Sequence, residues 1–231
     1  GLVFMERAYR LLTSGGRLGI VLPETYFFSK TYRWFRKWVD QHFDVLAVMN
    51  IPMEAFQGFC RAKTNFYVMR KKPAKEGAPL KQPSWARTSE TWITYAPTIG
   101  INKDGNPLYH VPKEGTRTKE IDDTVLSDVT TLLEGSDSPT ARFIPTPKSL
   151  IDSYIGVPQY YDWASIKEFE RYVQTHLKGF LTRTLGDLED TGIISIRNGH
   201  GSPSADLRNG DVPYVKVSDL RAGMVNFNPT N

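Results

Sequence analysis

Two short apolar runs, each stopped by a proline, constrain this chain more than any other feature. The first is Leu18-Gly19-Ile20-Val21-Leu22 before Pro23, and the second is Val45-Leu46-Ala47-Val48-Met49, closed by Ile51-Pro52. A continuous apolar run of this length, bounded by glycine and proline, fits a strand buried on both faces. Each run follows a segment of helical period. Phe4, Ala8, Leu11 and Leu12 form one stripe over residues 3 to 14, with Glu6, Arg7 and Arg10 opposite. Trp34, Phe35, Trp38 and Val39 form another over 30 to 42. Ser14-Gly15-Gly16 ends the first helix, because glycine accepts the left-handed cap. Thr64-Asn65-Phe66-Tyr67-Val68-Met69 adds a third strand. The first 72 residues therefore read helix, strand, helix, strand, strand, which is the end of an α/β sheet.

Beyond residue 72 the pattern loosens. Residues 73 to 84 carry Pro73, Gly77, Pro79 and Pro83 and read as a linker. Thr91 to Tyr95 reads as a strand, and Asn102-Lys103-Asp104-Gly105-Asn106 as a hairpin turn. Residues 119 to 134 have helical character, and 143 to 162 read as irregular. Residues 164 to 181 give the clearest later helix, with Ile166, Phe169, Val173, His176, Leu177 and Phe180 along one side. A lone histidine on such a face is expected to be an ordinary core residue.

Composition excludes several classes. A single cysteine, Cys60, permits neither an intrachain disulfide nor a cysteine-based zinc set, and it suits a reducing cytosol. Without a placed histidine it reads as inert. No run of 18 apolar residues exists, so no membrane span is expected. The start, Gly1-Leu2-Val3-Phe4-Met5-Glu6, is not a signal peptide. It lacks an initiator methionine and enters directly into a helical pattern, which predicts an interior piece of a longer protein. Net charge is only +4, but between Arg61 and Arg87 eight basic residues face Glu76 alone. That stretch is either a solvated loop or a phosphate-facing patch.

Ala8 through Pro23 (AYRLLTSGGRLGIVLP), followed by Ile51-Pro52, Phe56 and Thr64-Asn65-Phe66, resembles the second half of the catalytic domain of adenine-N6 DNA methyltransferases. The likeness is to the modification subunits of type I restriction systems above all. In that family these are a helix, a glycine turn, the fifth strand, and the final antiparallel strand pair with its loop. The resemblance implies a Rossmann-like sheet with S-adenosylmethionine at the carboxyl ends of the first strands. It also implies that the cofactor turn and the Asn/Asp-Pro-Pro-Tyr/Phe motif lie before residue 1. No catalytic and no cofactor-binding residue is then expected within this chain, and no metal ligand.

Asn106-Pro107-Leu108-Tyr109 imitates the catalytic tetrapeptide, but it follows a turn instead of a buried strand and reads as part of the hairpin. Gly15-Gly16 has a helix before it and a strand after it, the reverse of a cofactor loop. What the resemblance leaves here is part of a base pocket. Phe56 matches a loop position that offers a ring to an extruded adenine, with Phe59 close by as the other candidate. Pro23, Glu24 and Tyr26 follow the fifth strand at the rim.

Gly186-Asp187-Leu188, then Asn209 through Leu220 (NGDVPYVKVSDL), then Gly223 resemble the opening of a target recognition domain of type I specificity subunits. Such domains read base edges. Lys63, Arg197, Asn198, His200, Arg208 and Lys216 are the candidate DNA contacts. The expected layout is a catalytic-domain part over 1–72, a connector over 73–150, and a helix with the start of the recognition domain over 151–231. The expected function is part of a DNA adenine-N6 methyltransferase of a restriction–modification system, inactive alone. Its expected partners are double-stranded DNA and specificity or restriction subunits. A prokaryotic cytoplasmic, nucleoid-associated location is implied. The alternatives are a non-catalytic DNA-binding specificity module that keeps a half sheet, and a methyltransferase-like domain acting on RNA or protein.

Overall fold

A computed structural model describes residues 1–56, 62–73, 83–112, 115–151 and 153–196, with the backbone of 220–221 and 224–225. The chain divides into two units, Gly1–Lys178 and Gly179–Asn231. No helix among the described residues is long and apolar enough to cross a membrane.

The first unit is α/β. It opens with α1 (Leu2–Leu11), β1 (Arg17–Pro23), α2 (Thr25–Phe28), a 3-10 turn (Lys30–Tyr32), α3 (Arg33–His42) and β2 (Phe43–Ile51). A second 3-10 turn (Met53–Phe56) leads to β3 (Thr64–Lys71), and then come β4 (Glu90–Thr94), α4 (Thr124–Leu133) and β5 (Ala141–Pro145). A third 3-10 turn (Pro158–Tyr161) precedes α5 (Trp163–His176). The strands form one five-stranded sheet in the order β1-β3-β2-β4-β5. β3 runs antiparallel between β1 and β2, β2 and β4 are parallel, and β5 returns antiparallel. The sheet thus draws strands from both sides of residue 72.

The apolar runs dictate this arrangement. Val45 and Val48 both face the larger core, although three positions apart, because the β2–β3 register shifts between Val45 and Ala47. A bulge of this kind inserts one residue and changes which side chains share a face. That core gathers Met5 of α1, Phe35 and Val39 of α3, Tyr67 and Met69 of β3, and Leu150, Ile155 and Val157 from the later chain. A second cluster of Ala47, Trp92, Leu132 and Ala141 lies under α4. Both faces of the central strands are therefore covered, as uninterrupted apolar strands require.

Polar ties fix the edges of these layers. Lys71 Nζ donates to Tyr9 O and Leu12 O, each at 2.8 Å, satisfying carbonyls at the end of α1. Gly15, at φ +75°, makes the turn into β1. Asp40 of α3 accepts from Leu150 N at 3.0 Å and from Ser149 Oγ at 2.9 Å. Asp128 of α4, 1% exposed, accepts from Ser138 and Thr140 hydroxyls at 2.7 Å and from the Thr94 hydroxyl.

The hairpin at 102–106 forms: Asn102 N donates to Asn106 O at 2.9 Å, and Ile101 bridges Pro107. Three expectations need correction. β1 is not buried on both faces: it is an edge strand of the sheet, its burial alternates along the strand, and Val21 is 41% exposed. Residues 143–145 complete β5 instead of being irregular, since they pair with Glu90 to Trp92. His176 is not a core residue: it is exposed, its ring stacks on Tyr172 at 4.6 Å, and none of α5 is buried. The helical period of α5 is present, but among the described residues no element covers that side.

In the second unit, α6 (Leu185–Asp190) begins with a capping box between Thr184 and Asp187. β6 (Leu220–Arg221) pairs antiparallel with β7 (Met224–Val225).

Candidate functional site

The carboxyl ends of β1 and β2 and the start of β3 come level with one another. Thr64 is the register partner of both Pro23 and Ile51, and Asn65 of both Leu22 and Asn50. In open α/β sheets ligands bind beyond the carboxyl ends of strands, so this rim is the candidate site. Glu24 is the first residue past β1 and only 5% exposed. Its backbone N–H donates to Lys63 O at 3.1 Å, and Lys63 Nζ lies 3.4 Å from its carboxylate. Lys63 Nζ also donates to Gln159 Oε1. Burying a carboxylate is costly unless it is paired and hydrogen-bonded in this way.

Behind this pair lies a polar cluster closed by the later chain. Asn65, fully buried, donates from Nδ2 to Glu24 Oε2 at 3.1 Å, and lies 3.1 Å from Tyr67 Oη and 3.3 Å from Gly156 O. Tyr67 Oη donates to Gly156 O at 2.8 Å. Burial holds the Tyr67 hydroxyl well above its ordinary pKa; the Asn65 hydrogen bond works against this and the Glu24 charge adds to it. Tyr67 thus remains a protonated donor. Asn65 Oδ1 and Thr64 Oγ1 are buried with no hydrogen-bond partner. The site therefore holds a carboxylate fixed by a lysine, and two acceptor-capable oxygens not yet used.

Of the residues singled out in the sequence, Pro23, Glu24 and Lys63 are brought together. Phe56 ends the 3-10 turn after β2 and is half-buried. Tyr26 lies elsewhere: its ring packs edge-to-face on Tyr32 and Phe35, with centroids 4.7 and 5.7 Å away. Arg197, Asn198, His200, Arg208 and Lys216, with Phe59 and Cys60, lie outside the described residues. Asn65, Tyr67, Gly156 and Gln159 were not read as site residues. The available signal was a polar residue inside an apolar strand, Asn65, which must find a partner when buried.

Among the described residues, neither of the two sequence imitations of a cofactor or catalytic motif offers a place for S-adenosylmethionine. Gly15 N donates to Lys71 O at 3.0 Å and Gly16 N to Thr13 O at 2.9 Å, so the glycine turn offers no free cradle of N–H groups. Asn106 and Pro107 are exposed and lie in the hairpin.

No protein-family model and no curated protein matches the chain. Several solved structures show likeness, among them the following three. The modification subunit of a type I restriction enzyme from Vibrio vulnificus is 12% identical over 70% of this chain and 33% of its own, with a TM-score of 0.42. A type I restriction–modification structure is 16% identical over 82% and 39%, at 0.39. A class I S-adenosylmethionine-dependent methyltransferase from Listeria monocytogenes is 18% identical over 36% and 24%, at 0.30. The chain spans less than half the length of each of these proteins. Likeness at this level carries no functional argument.

Proposed function

We propose that this chain is part of a DNA methyltransferase of a restriction–modification system, one that transfers a methyl group from S-adenosylmethionine to adenine N6. The observation that carries the reading is the convergence of Pro23, Glu24 and Lys63 at the carboxyl ends of β1 and β2. That is where a base pocket would form if the resemblance of the first 72 residues to such enzymes holds. The antiparallel pair β2–β3 agrees with the final strand pair the same resemblance expects.

Among the described residues the outer edge of β1 is unpaired. A seven-residue apolar strand with an open edge is a template for a further strand, which suits a sheet continued by chain outside this one. On this reading the methyl donor and the residues that hold the target amine lie before residue 1. Phe56 supplies a flat face to the extruded base, with Pro23 and Glu24 bordering it; Tyr26, packed on Tyr32 and Phe35, is not part of it. Arg197, Asn198, His200, Arg208 and Lys216 belong to the recognition region that contacts double-stranded DNA, and specificity or restriction subunits complete the assembly.

One set of measurements tests this. In the full protein, Phe56→Ala should cut adenine methylation about tenfold, as loss of a base stack worth about 1–3 kcal/mol implies, with S-adenosylmethionine binding unchanged by calorimetry. The 231-residue chain should give no heat with the cofactor. Unchanged methylation refutes the role of Phe56, and stoichiometric cofactor binding by the chain alone refutes the upstream placement of the donor site.

A further inference from the structure

A second polar feature adjoins α2. α2, the start of α3, Ile151, Ser153 and Tyr154 enclose a cleft of about 500 Å³. Lys30, Arg33 and Arg36 line it together with Phe28, Ser153 and Tyr154, and no carboxylate is among the described lining residues. None of the three cations forms an ion pair among the described residues.

Arg36 is the informative member. It is 5% exposed, and its Nη1 donates to Tyr26 O at 3.2 Å and Ser29 O at 2.9 Å. Those bonds hold the guanidinium in place but supply no negative charge. Its Nε is buried with no acceptor, and so is Ser153 Oγ. Burial, and then the charge of Arg33, pull Arg36 below its ordinary value. A buried guanidinium with no counter-charge among the described residues is costly, and buried charges are as a rule completed by a partner ion.

We propose that this cleft binds a phosphate group. Arg36 Nε and Ser153 Oγ are the unfilled donors at its wall, and the exposed ammonium of Lys30 and guanidinium of Arg33 supply the charge. Guanidinium and ammonium groups together match the oxygens of a phosphate better than a single carboxylate. The N-terminal end of the ten-residue α3 adds a favourable dipole. Phe28 and Tyr154, each 52% exposed, give the cleft flat apolar faces beside that charge. Two sources carry such a group: the backbone of a nucleic-acid duplex, and free inorganic phosphate. The duplex source rests on the proposed DNA reading; the phosphate chemistry of the cleft does not.

The test uses the 231-residue chain with two probes. Anisotropy of a short labelled DNA duplex is followed over a salt series, and inorganic phosphate is followed by the NMR shift of the Arg36 Nε–H. The double variant Lys30→Gln/Arg33→Gln removes two exposed cations and leaves the buried Arg36 in place. Lys37→Gln, an exposed residue of α3 outside the cleft, is the charge control. The double variant should lower duplex affinity roughly tenfold at low salt and flatten the salt slope by about 1, while Lys37→Gln changes neither. It should also abolish the phosphate-induced shift. Phosphate binding that depends on Lys30 and Arg33, without duplex binding, supports the site with free phosphate as its source and leaves the DNA reading without support from this cleft. Duplex binding indifferent to the double variant overturns the site while sparing the methyltransferase reading. Equal losses with Lys37→Gln, or binding of neither probe, also overturn it.

Discussion

Gly156→Ala gives the sharpest check on how the later chain seals the rim. A Cβ at Gly156 would lie 2.4 Å from Phe27 Cδ1 and 2.6 Å from its Cβ and Cγ. Phe27 cannot swing away, because it is 2% exposed and stacked on Tyr67 at 4.1 Å. Gly156 does not adopt a positive φ, so the penalty is steric and not conformational. Overpacking of this kind costs about 1–3 kcal/mol. If residue 156 is pushed outward, Tyr67 Oη and Asn65 Nδ2 also lose its carbonyl, which adds about 1–3 kcal/mol for buried groups left unsatisfied. The expected loss is about 3 kcal/mol. For a unit of this size that is a fall in Tm of roughly 6–12 °C, read by calorimetry or circular dichroism. Phe27→Ala, which removes the obstructing Cγ and Cδ1, should make the same change less costly by about 1 kcal/mol or more in a double-mutant cycle. A Tm within about 2 °C of wild type, or strict additivity with Phe27→Ala, would refute the packing argument.

Other expectations follow from the same geometry. Asp128→Ala leaves the hydroxyls of Thr94, Ser138 and Thr140 without their acceptor, so it should cost about 2–4 kcal/mol in urea unfolding; a change under about 0.5 kcal/mol would show the cluster to be idle. In the capping box of α6, hydrogen bonds from Thr184 hold the Asp187 carboxyl below its ordinary 3.8. Its contribution is therefore present above the ordinary carboxyl value and lost as pH falls through the lowered one. NMR titration should find Asp187 depressed in the wild type and less depressed, but still below its ordinary value, in Thr184→Ala, which removes the hydroxyl and keeps the backbone N–H that is the larger cause; an ordinary value in the wild type would exclude the cap as the cause.

The elements legible in the sequence are those with a strong local period. α1, β1, α3, β2 and β3 lie about where the stripes and apolar runs place them, because a strand or an amphipathic helix declares itself over a few consecutive residues; their buried faces were less legible, since Phe4 and Leu11 of the α1 stripe and Trp34 of the α3 stripe are exposed while Met5 is buried. Residues 149–157 do not. Ile155 and Val157 flank a glycine and precede a proline, with neither period, yet both are buried in the main core. α5 shows the opposite failure: its stripe marks a helix correctly but says nothing about whether another element covers it. At the rim, Pro23, Glu24 and Lys63 were readable because strand ends collect them. Asn65 meets Gly156 across 91 positions, a contact no local pattern encodes. Arg36 was hidden for a related reason: inside an aromatic helical stripe it looks like a surface charge.

The clasp between Asp40 and residues 149–150 also governs when this unit can be completed. It closes a separation of 110 positions, and the chain it secures supplies Leu150, Ile155 and Val157 to the core. During synthesis at roughly 5–20 residues per second, α3 would wait about 5–20 s for its partner to be made. Throughout that interval the sheet face beneath 150–157 stays open to water and to wrong partners. The vulnerable species for this protein is thus the nascent chain from the completion of its third strand until residue 157 has been made, and substitutions that blunt the apolar character of 150–157 should show first as poor yield.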